Sequence, residues 1–475
     1  MNHPMPRRLP TRPGSHVESK RRFRLRRPIA DSRTAWGWLG SMGVGIALLQ
    51  SASPARAQQA IQNMLEADAA ANARAQATAA ALTSDYTIKE GDFRLLLTPS
   101  TGLQWNDNVN LSGLNPEDDF ILTPALGVTA SYPLSEQNLL YLDITVGYNW
   151  YLQHSHYNSF ALNSSSGTGL AFDLVIKDIT IDIHDRVNYT QGTGQYGVGS
   201  AGGNGFVANS ASAAVANTGS YGTFENTAGL LGTWDLNQVK LSLGYDHQNS
   251  LATTSAFNGS DRSSEMLNFR AAFQVRPNLS TGLESTAAFT TYDQQELNDN
   301  TAYTVGPFVQ FTPGKFFTVT ARGGLETYQF QETSHTIRTS DQTSWYGGLG
   351  ITHQPTDWIK YSLDFGREVQ IGAVSDLMTD WYVRPSVTWT MIHGLDLVTF
   401  FSYQHGNQGE GSTGNLPGFP NGTFDMYRAG ISLQHAFTSW LNASLNYQYT
   451  DLSSGVVDGS YTQNLVALQL TFPLK

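Results

Sequence analysis

From about residue 92 to the last residue, stretches of roughly 11–13 residues alternate apolar with polar or small positions, and the breaks between them alternate short and long. In Leu122-Thr-Pro-Ala-Leu-Gly-Val-Thr-Ala-Ser-Tyr132, and again in Leu140-Tyr-Leu-Asp-Ile-Thr-Val-Gly-Tyr-Asn-Trp150, every second residue is apolar. The residues between are mostly Thr, Ser, Gly, Ala, Asp or Asn, as in a strand with one apolar and one wet face. This period predicts strands over 92–106, 120–133, 139–151, 168–177, 179–189, 221–235, 239–248, 264–276 and 279–292. It continues over 302–312, 316–330, 343–354, 358–369, 381–392, 395–405, 424–436, 440–450 and 461–473. The count is about eighteen, and an even number is what a closed antiparallel transmembrane barrel of one bacterial chain needs.

The connections support the same reading. Every second one is tight, as at Lys177-Asp178, Pro277-Asn278, Pro313-Gly-Lys315 and His393-Gly394, with residues suited to hairpin dihedrals. The others, such as 107–119, 152–167, 190–220, 249–263 and 406–423, are longer and mostly rich in Gly, Ser and Asn. A barrel with its short turns and both termini on the periplasmic side segregates loop lengths in this way. Trp and Tyr recur near strand ends, among them Trp105, Trp150, Trp234, Trp345, Trp358, Trp381, Trp389 and Trp440, where amphipathic rings would meet lipid headgroups. The expected fold is therefore all-β: an antiparallel up-and-down transmembrane barrel over 92–475.

The N-terminus adds a destination. Ten Arg and Lys positions between Arg7 and Arg33 precede an apolar run from Ala35 to Leu49, and Pro54-Ala55-Arg56-Ala57 offers a small-residue cleavage pattern. The apolar run, about 15 residues, is short for a spanning helix, so residues 1–57 read as a signal peptide cleaved after Ala57. The whole chain holds 28 Lys/Arg and 39 Asp/Glu, of which residues 1–57 take 11 and 2, so the exported remainder carries a net charge of about −20. That disfavours nucleic acid as a partner. Residues 58–91 form an Ala-rich segment and linker, with Ile61, Met64 and Leu65 at helical spacing over 58–82. It reads either as a periplasmic helix that engages a partner or enters the pore, or as a loosely ordered leader. The absence of Cys fits export without deciding it.

Assigning each apolar set to lipid leaves a charged set facing inward: Asp143, Asp173, Asp182, Arg186, Lys240, Asp246, Arg270, Glu284, Arg322, Glu326, Lys360, Asp364, Arg384 and Arg428. Arg94, His184, Glu225, Asn268, Gln274, Glu368 and Asp396 share that parity. A basic side chain facing lipid at mid-bilayer costs about 2–4 kcal/mol, which sends such residues to a wet interior. Neighbouring strands are expected to bring Asp173 near Arg186 and Asp364 beside Arg384. Two readings stay open: a mixed-charge aqueous lumen, or a salt-bridged brace inside a closed barrel. Loop 190–220 is long enough either to fold inward or to remain on the surface.

No enzyme is expected. His154-Ser-His156 lacks a third ligand, Glu117-Asp-Asp119 reads as a solvated acidic loop, and no catalytic, cofactor-binding or metal-binding residues are assigned. The runs 122–134 and 139–151 resemble bacterial outer-membrane β-barrel proteins of the type 2 β-barrel porin class, which includes barrels found alongside exopolysaccharide biosynthesis. The last strand, Asn464 to Phe472, resembles the C-terminal signal read by the outer-membrane assembly machinery, with its aromatic displaced inward from Lys475. The resemblance implies a Gram-negative outer-membrane protein in contact with lipid and lipopolysaccharide, and transfers no functional residue. The expected function is a porin-like channel for polar solutes. Exopolysaccharide export and a structural or adhesive barrel acting through its loops are the alternatives. Oligomeric state is left open.

Overall fold

The computed structural model describes residues 86–475 apart from 136, 165–168, 191–221, 254, 335–338, 372–374, 393, 409–421 and 456–459. The expected signal peptide, the Ala-rich segment 58–82 and nearly all of loop 190–220 lie outside the described residues. The chain forms β1 (Ile88–Glu90), β2 (Phe93–Asn106), β3 (Asp119–Leu122), β4 (Ala125–Pro133), β5 (Leu139–Tyr151), β6 (Ser159–Ser164) and β7 (Leu170–Ile176). These are followed by β8 (Ile179–Thr190), β9 (Thr223–Asp235), β10 (Val239–Ala252), β11 (Arg262–Arg276), β12 (Leu279–Tyr292), β13 (Asn300–Gly314) and β14 (Phe317–Phe330). The last are β15 (Gln342–Thr356), β16 (Ile359–Gln370), β17 (Met378–Ile392), β18 (Leu395–Gln408), β19 (Gly422–Thr438), β20 (Leu441–Ser454) and β21 (Tyr461–Thr471).

Every pairing is antiparallel, and β21 closes onto β2 from Ser100↔Thr471 to Asn106↔Leu465. The segments β3 and β4 share one stave, as do β6 and β7, so the wall is an eighteen-strand antiparallel transmembrane barrel. The break at Thr123-Pro124 falls where proline has no N–H to give the ladder, while Thr123 N–H still donates to Gly102 O at 2.9 Å. Segment β1 folds back on β2 from Ile88↔Leu95 to Glu90↔Phe93.

Beyond strand ends displaced by up to four residues, as at β10 and β20, two segments differ from the sequence expectation. Residues 159–164, read as part of a long loop, form β6 and pair with β5 from Asn149↔Ser159 to Ile144↔Ser164. The linker 83–91 contains β1. Both are short segments whose alternation is too brief to stand out against neighbouring Ser, Gly and charged residues.

The outer face carries the apolar set, with Leu103, Leu140, Ile183, Leu243, Leu267, Leu283 and Val305 all exposed. It is banded by Trp234, Trp358, Trp389 and Trp440 near the short turns and by Trp150, Trp345 and Trp381 near the long loops. This is a lipid belt between two aromatic girdles. No helix of the described residues is long and apolar enough to cross a membrane; the crossing is made by strands.

Candidate functional site: the inner wall and its loop-side cap

Strand alternation puts the polar set on the inner face. On β10 that face is Lys240, Ser242, Gly244, Asp246, Gln248 and Ser250, against an outer series of Leu241, Leu243 and Tyr245. The same parity places all fourteen charged positions singled out above on the inner face. Their accessibility divides them. Asp143, Lys240, Arg270, Arg322, Lys360 and Asp364 are half-buried, whereas Asp173, Asp182, Asp246, Glu284, Glu326, Arg186, Arg384 and Arg428 are buried. Adding Glu368, Asp380, Arg262 and Asp119 at the start of β3, eight carboxylates and four guanidiniums lie on the buried inner wall of the described strands.

The pairing decides which of these meet. Asp364 and Arg384 are direct cross-strand partners, and so are Arg270 and Glu284. Asp173 stands opposite Asp182, with Arg186 two inward positions further along β8. Between these and β10 lies a linked polar group. His184 Nδ1 is 2.5 Å from Asp182 Oδ1, and its Nε2 is 2.9 Å from Asp246 Oδ1 and 3.0 Å from Arg186 Nη2. Asn268 Nδ2 donates to Asp246 Oδ2 at 3.0 Å. His184 and Asp246 are not on neighbouring strands. They reach each other across β9 because the position between them, the register partner of both, is Gly229. A Cβ there would lie 2.9 Å from His184 Nε2 and would overlap the Asp246 carboxylate.

Glycine opens the wall elsewhere for aromatic rings. Tyr382 lies over Gly366, its hydroxyl 2.6 Å from where a Cβ would stand, and reaches the Gly348 position beside Arg322. Tyr346 extends over Gly306 in the same way, its hydroxyl 2.5 Å from that Cβ position. Phe308 covers Gly282 and receives Arg270 on its face, 4.1 Å from guanidinium carbon to ring centre, while Arg384 stacks on Tyr382 at the same distance. Single-strand periodicity cannot foresee these contacts, because each ring meets a glycine on another strand.

The described wall has a seam between β15 and β16. Pairing between β15 and β16 runs from Thr356↔Ile359 to Gly347↔Arg367 and stops there, although β15 continues to pair with β14 as far as Gln342 and β16 with β17 as far as Gln370. Side chains take up carbonyls there: Arg367 donates to Trp345 O and also to the Ser344 hydroxyl, and Tyr328 Oη donates to Val369 O at 3.2 Å.

At the long-loop end the barrel is covered from within. Leu297, Ile371 and Leu377 from two loops pack with inward Met266, Tyr292, Ala302 and Tyr328. Leu111 packs with Met378, Phe424, Met426 and Tyr461. Carboxylates tie the loops together. Asp376 accepts from Asn298 N (3.0 Å), Asn298 Nδ2 (2.8 Å) and Thr339 Oγ1. Asp119 accepts from the backbone N–H of Leu152, Gln153 and His154, and lies 3.1 Å from His154 Nδ1. Beside it, burial and then the Glu117 carboxylate push the Tyr157 phenol up from its ordinary value. The acidic loop thus fastens 107–118 to 152–158, and among the described residues no group of His, Cys, Asp or Glu is arranged to hold a metal ion. At the short-turn end the inner face is more open: Thr320, Gly350 and Thr352 are half-buried and Gln310 is exposed.

No family model matches the chain, and no curated protein does. Among solved structures, the chain is similar to Pseudomonas aeruginosa OccK2 (OpdF) in complex with glucuronate, at 9% identity and a TM-score of 0.45, covering 81% of this chain and 99% of that one. It is similar to Pseudomonas aeruginosa OprD at 11% identity and a TM-score of 0.43, covering 82% and 98%. For Acinetobacter baumannii OccAB3 the figures are 9%, 0.42, 81% and 100%. Likenesses of this size carry no argument about function; the strand count rests on the pairings themselves.

Proposed function

We propose that this chain is a channel of the Gram-negative outer membrane, a conduit and not a catalyst, passing polar solutes through a mixed-charge lumen whose outer mouth is covered by its own loops. One observation carries the reading: a closed eighteen-strand wall keeps its apolar side chains outside and buries charged ones inside. Barrels of this strand number enclose more than their own side chains can fill, and a charged interior suits an aqueous route. The fourteen inward charges are its lining in this reading. Lipid and lipopolysaccharide surround the belt, and β21 is the strand presented to the assembly machinery. The test is conductance of the refolded, signal-free protein in a planar bilayer; a verified barrel that never conducts, even after the loop ties are cut, overturns it.

A second reading has its own support. The more accessible end of the inner face is the short-turn end, where a polymer leaving the periplasm would enter, so export of a polysaccharide is the alternative to solute uptake. A deletion strain with normal surface polymer removes it.

A further inference from the structure

The ladders of β11 with β12, β13 with β14 and β17 with β18 run to the loop end of their strands, at Arg262↔Tyr292, Asn300↔Phe330 and Met378↔Gln408. The ladder of β15 with β16 ends at Gly347↔Arg367, so residues 342–346 and 368–370 flank a gap that no ladder closes. An open strand edge at membrane depth is tolerated only where protein covers it or it lines a cavity. Side chains bridge this gap: Arg367 to Trp345 O and Ser344 Oγ, and Tyr328 Oη to Val369 O. Parting the strands here breaks no ladder hydrogen bond.

The gap also joins the two faces of the wall. Tyr361 and Phe365 of β16 are exposed on the outside, and alternation puts Arg367 and Val369 in the same outward series. Yet Arg367 reaches Ser344, which shares the inward parity of Tyr346. Val369 is 1% exposed and belongs to the inner apolar cluster with Tyr328, Leu297, Ile371 and Leu377. On the outer side, Gly323 stands opposite Gly347 at the foot of the gap, so the wall there carries no side chain of its own. The edge of the Trp345 ring lies 3.5 Å from where a Gly347 Cβ would stand. Trp381 packs 5.3 Å from Trp345 and 6.0 Å from Phe365, and Arg367 lies over the Trp345 ring at 4.8 Å. An apolar cluster inside and an aromatic-rimmed glycine notch outside thus meet at a place held by side chains.

We infer that the β15–β16 seam is a lateral doorway for uncharged apolar solutes between the loop-side cap and the outer leaflet, with Arg367 as its latch. Burial of apolar surface on both sides supplies the attraction. Charge supplies the selection. Glu326, the register partner of Ser344, and Glu368, next to Val369, are both buried at the inner side of the gap and disfavour an anionic solute there. The inference goes beyond the aqueous channel reading and needs no ion conduction.

The test is photolabelling of the refolded, signal-free protein in lipid vesicles with a trifluoromethyl-phenyl diazirine and with the benzoate made from it, adducts being mapped by peptide mass spectrometry. The uncharged probe is expected on Tyr328, Val369 and Leu377 inside as well as on Leu325 and Trp381 outside, and the benzoate is not expected inside. The chain has no Cys, so a W345C/R367C pair can be joined across the seam by a short bismaleimide. Bridged protein should lose the inner adducts and keep the outer ones, while the same variant left unbridged keeps both. Arg367→Met, which removes the latch and adds no bridge, should raise inner labelling. Adducts confined to the outer face of the native sequence, inner adducts that survive bridging, inner labelling unchanged by Arg367→Met, or equal inner labelling by the benzoate each overturn the inference. Seam-dependent labelling in a barrel that never conducts would sink the channel reading and leave the doorway standing.

Discussion

Replacing Gly229 by alanine tests whether the inner wall is built as described. The new methyl group would stand 2.7 Å from Tyr245 O and 2.9 Å from His184 Nε2, and would overlap Asp246 Oδ1. All three neighbours belong to the strands flanking β9, so relief requires parting His184 from Asp246. Their 2.9 Å contact involves a carboxylate, and such a bond contributes about 1.5–3 kcal/mol. Forcing one extra carbon into a packed site costs about 1–3 kcal/mol more. The expected loss is therefore about 2.5–6 kcal/mol, read by reversible urea unfolding in lipid vesicles. The control lies on the same strand: a Cβ at Gly232 would meet only Leu243 O, at 3.8 Å, so Gly232→Ala should stay within about 0.5 kcal/mol of the parent. In His184→Ala/Gly229→Ala the two effects should fall well short of their sum, since the first change empties the space the second needs. Equal losses at Gly229 and Gly232, or strict additivity in the double variant, would refute the idea that glycine makes the passage across β9.

Three further outcomes are expected. Asp376→Ala removes the acceptor of Asn298 N, Asn298 Nδ2 and Thr339 Oγ1, so single-channel recordings should show longer or larger openings while the wall stays folded. Arg367→Met strips the cap from Trp345 O and Ser344 Oγ at the end of the β15–β16 pairing, a local loss of about 1.5–3 kcal/mol, and hydrogen exchange should speed up over 342–346 and 368–370 more than elsewhere. The Tyr157 phenol is held up by burial and by Glu117, so its contribution to loop docking is present below the ordinary phenol range and fades as pH climbs through its raised value; in a Y157F difference titration, E117Q should move its deprotonation to lower pH.

Much of this architecture is legible in one strand at a time. The alternation over 139–151 coincides with β5 from end to end, because side-chain parity is a local property of an extended chain. The same parity assigns charged residues to a face. What it does not carry is the stagger between strands, and stagger decides register: Asp173 stands opposite Asp182, with Arg186 two inward positions further along β8. Nor does it show that Tyr346 and Tyr382 lie over Gly306 and Gly366, since each glycine is harmless on its own strand and acquires meaning only beside its neighbour. Asp119 read as solvated loop because its ligands are the backbone N–H groups of residues 152–154, which no side-chain pattern announces. The short β6 escaped for a related reason: Phe160 and Leu162 alternate correctly, but over too few residues to distinguish a strand from a loop.

The central claim is that the charged interior is a route across the membrane. Planar-bilayer recording of the refolded chain from Gln58 onward, with and without residues 58–82 and with the Asp376→Ala loop release, tests it most directly. Stepwise current, rising when Asp376 is removed, is the predicted result. Silence from all of these proteins, in barrels shown to be folded and inserted, would contradict it and leave the inner charges as a brace.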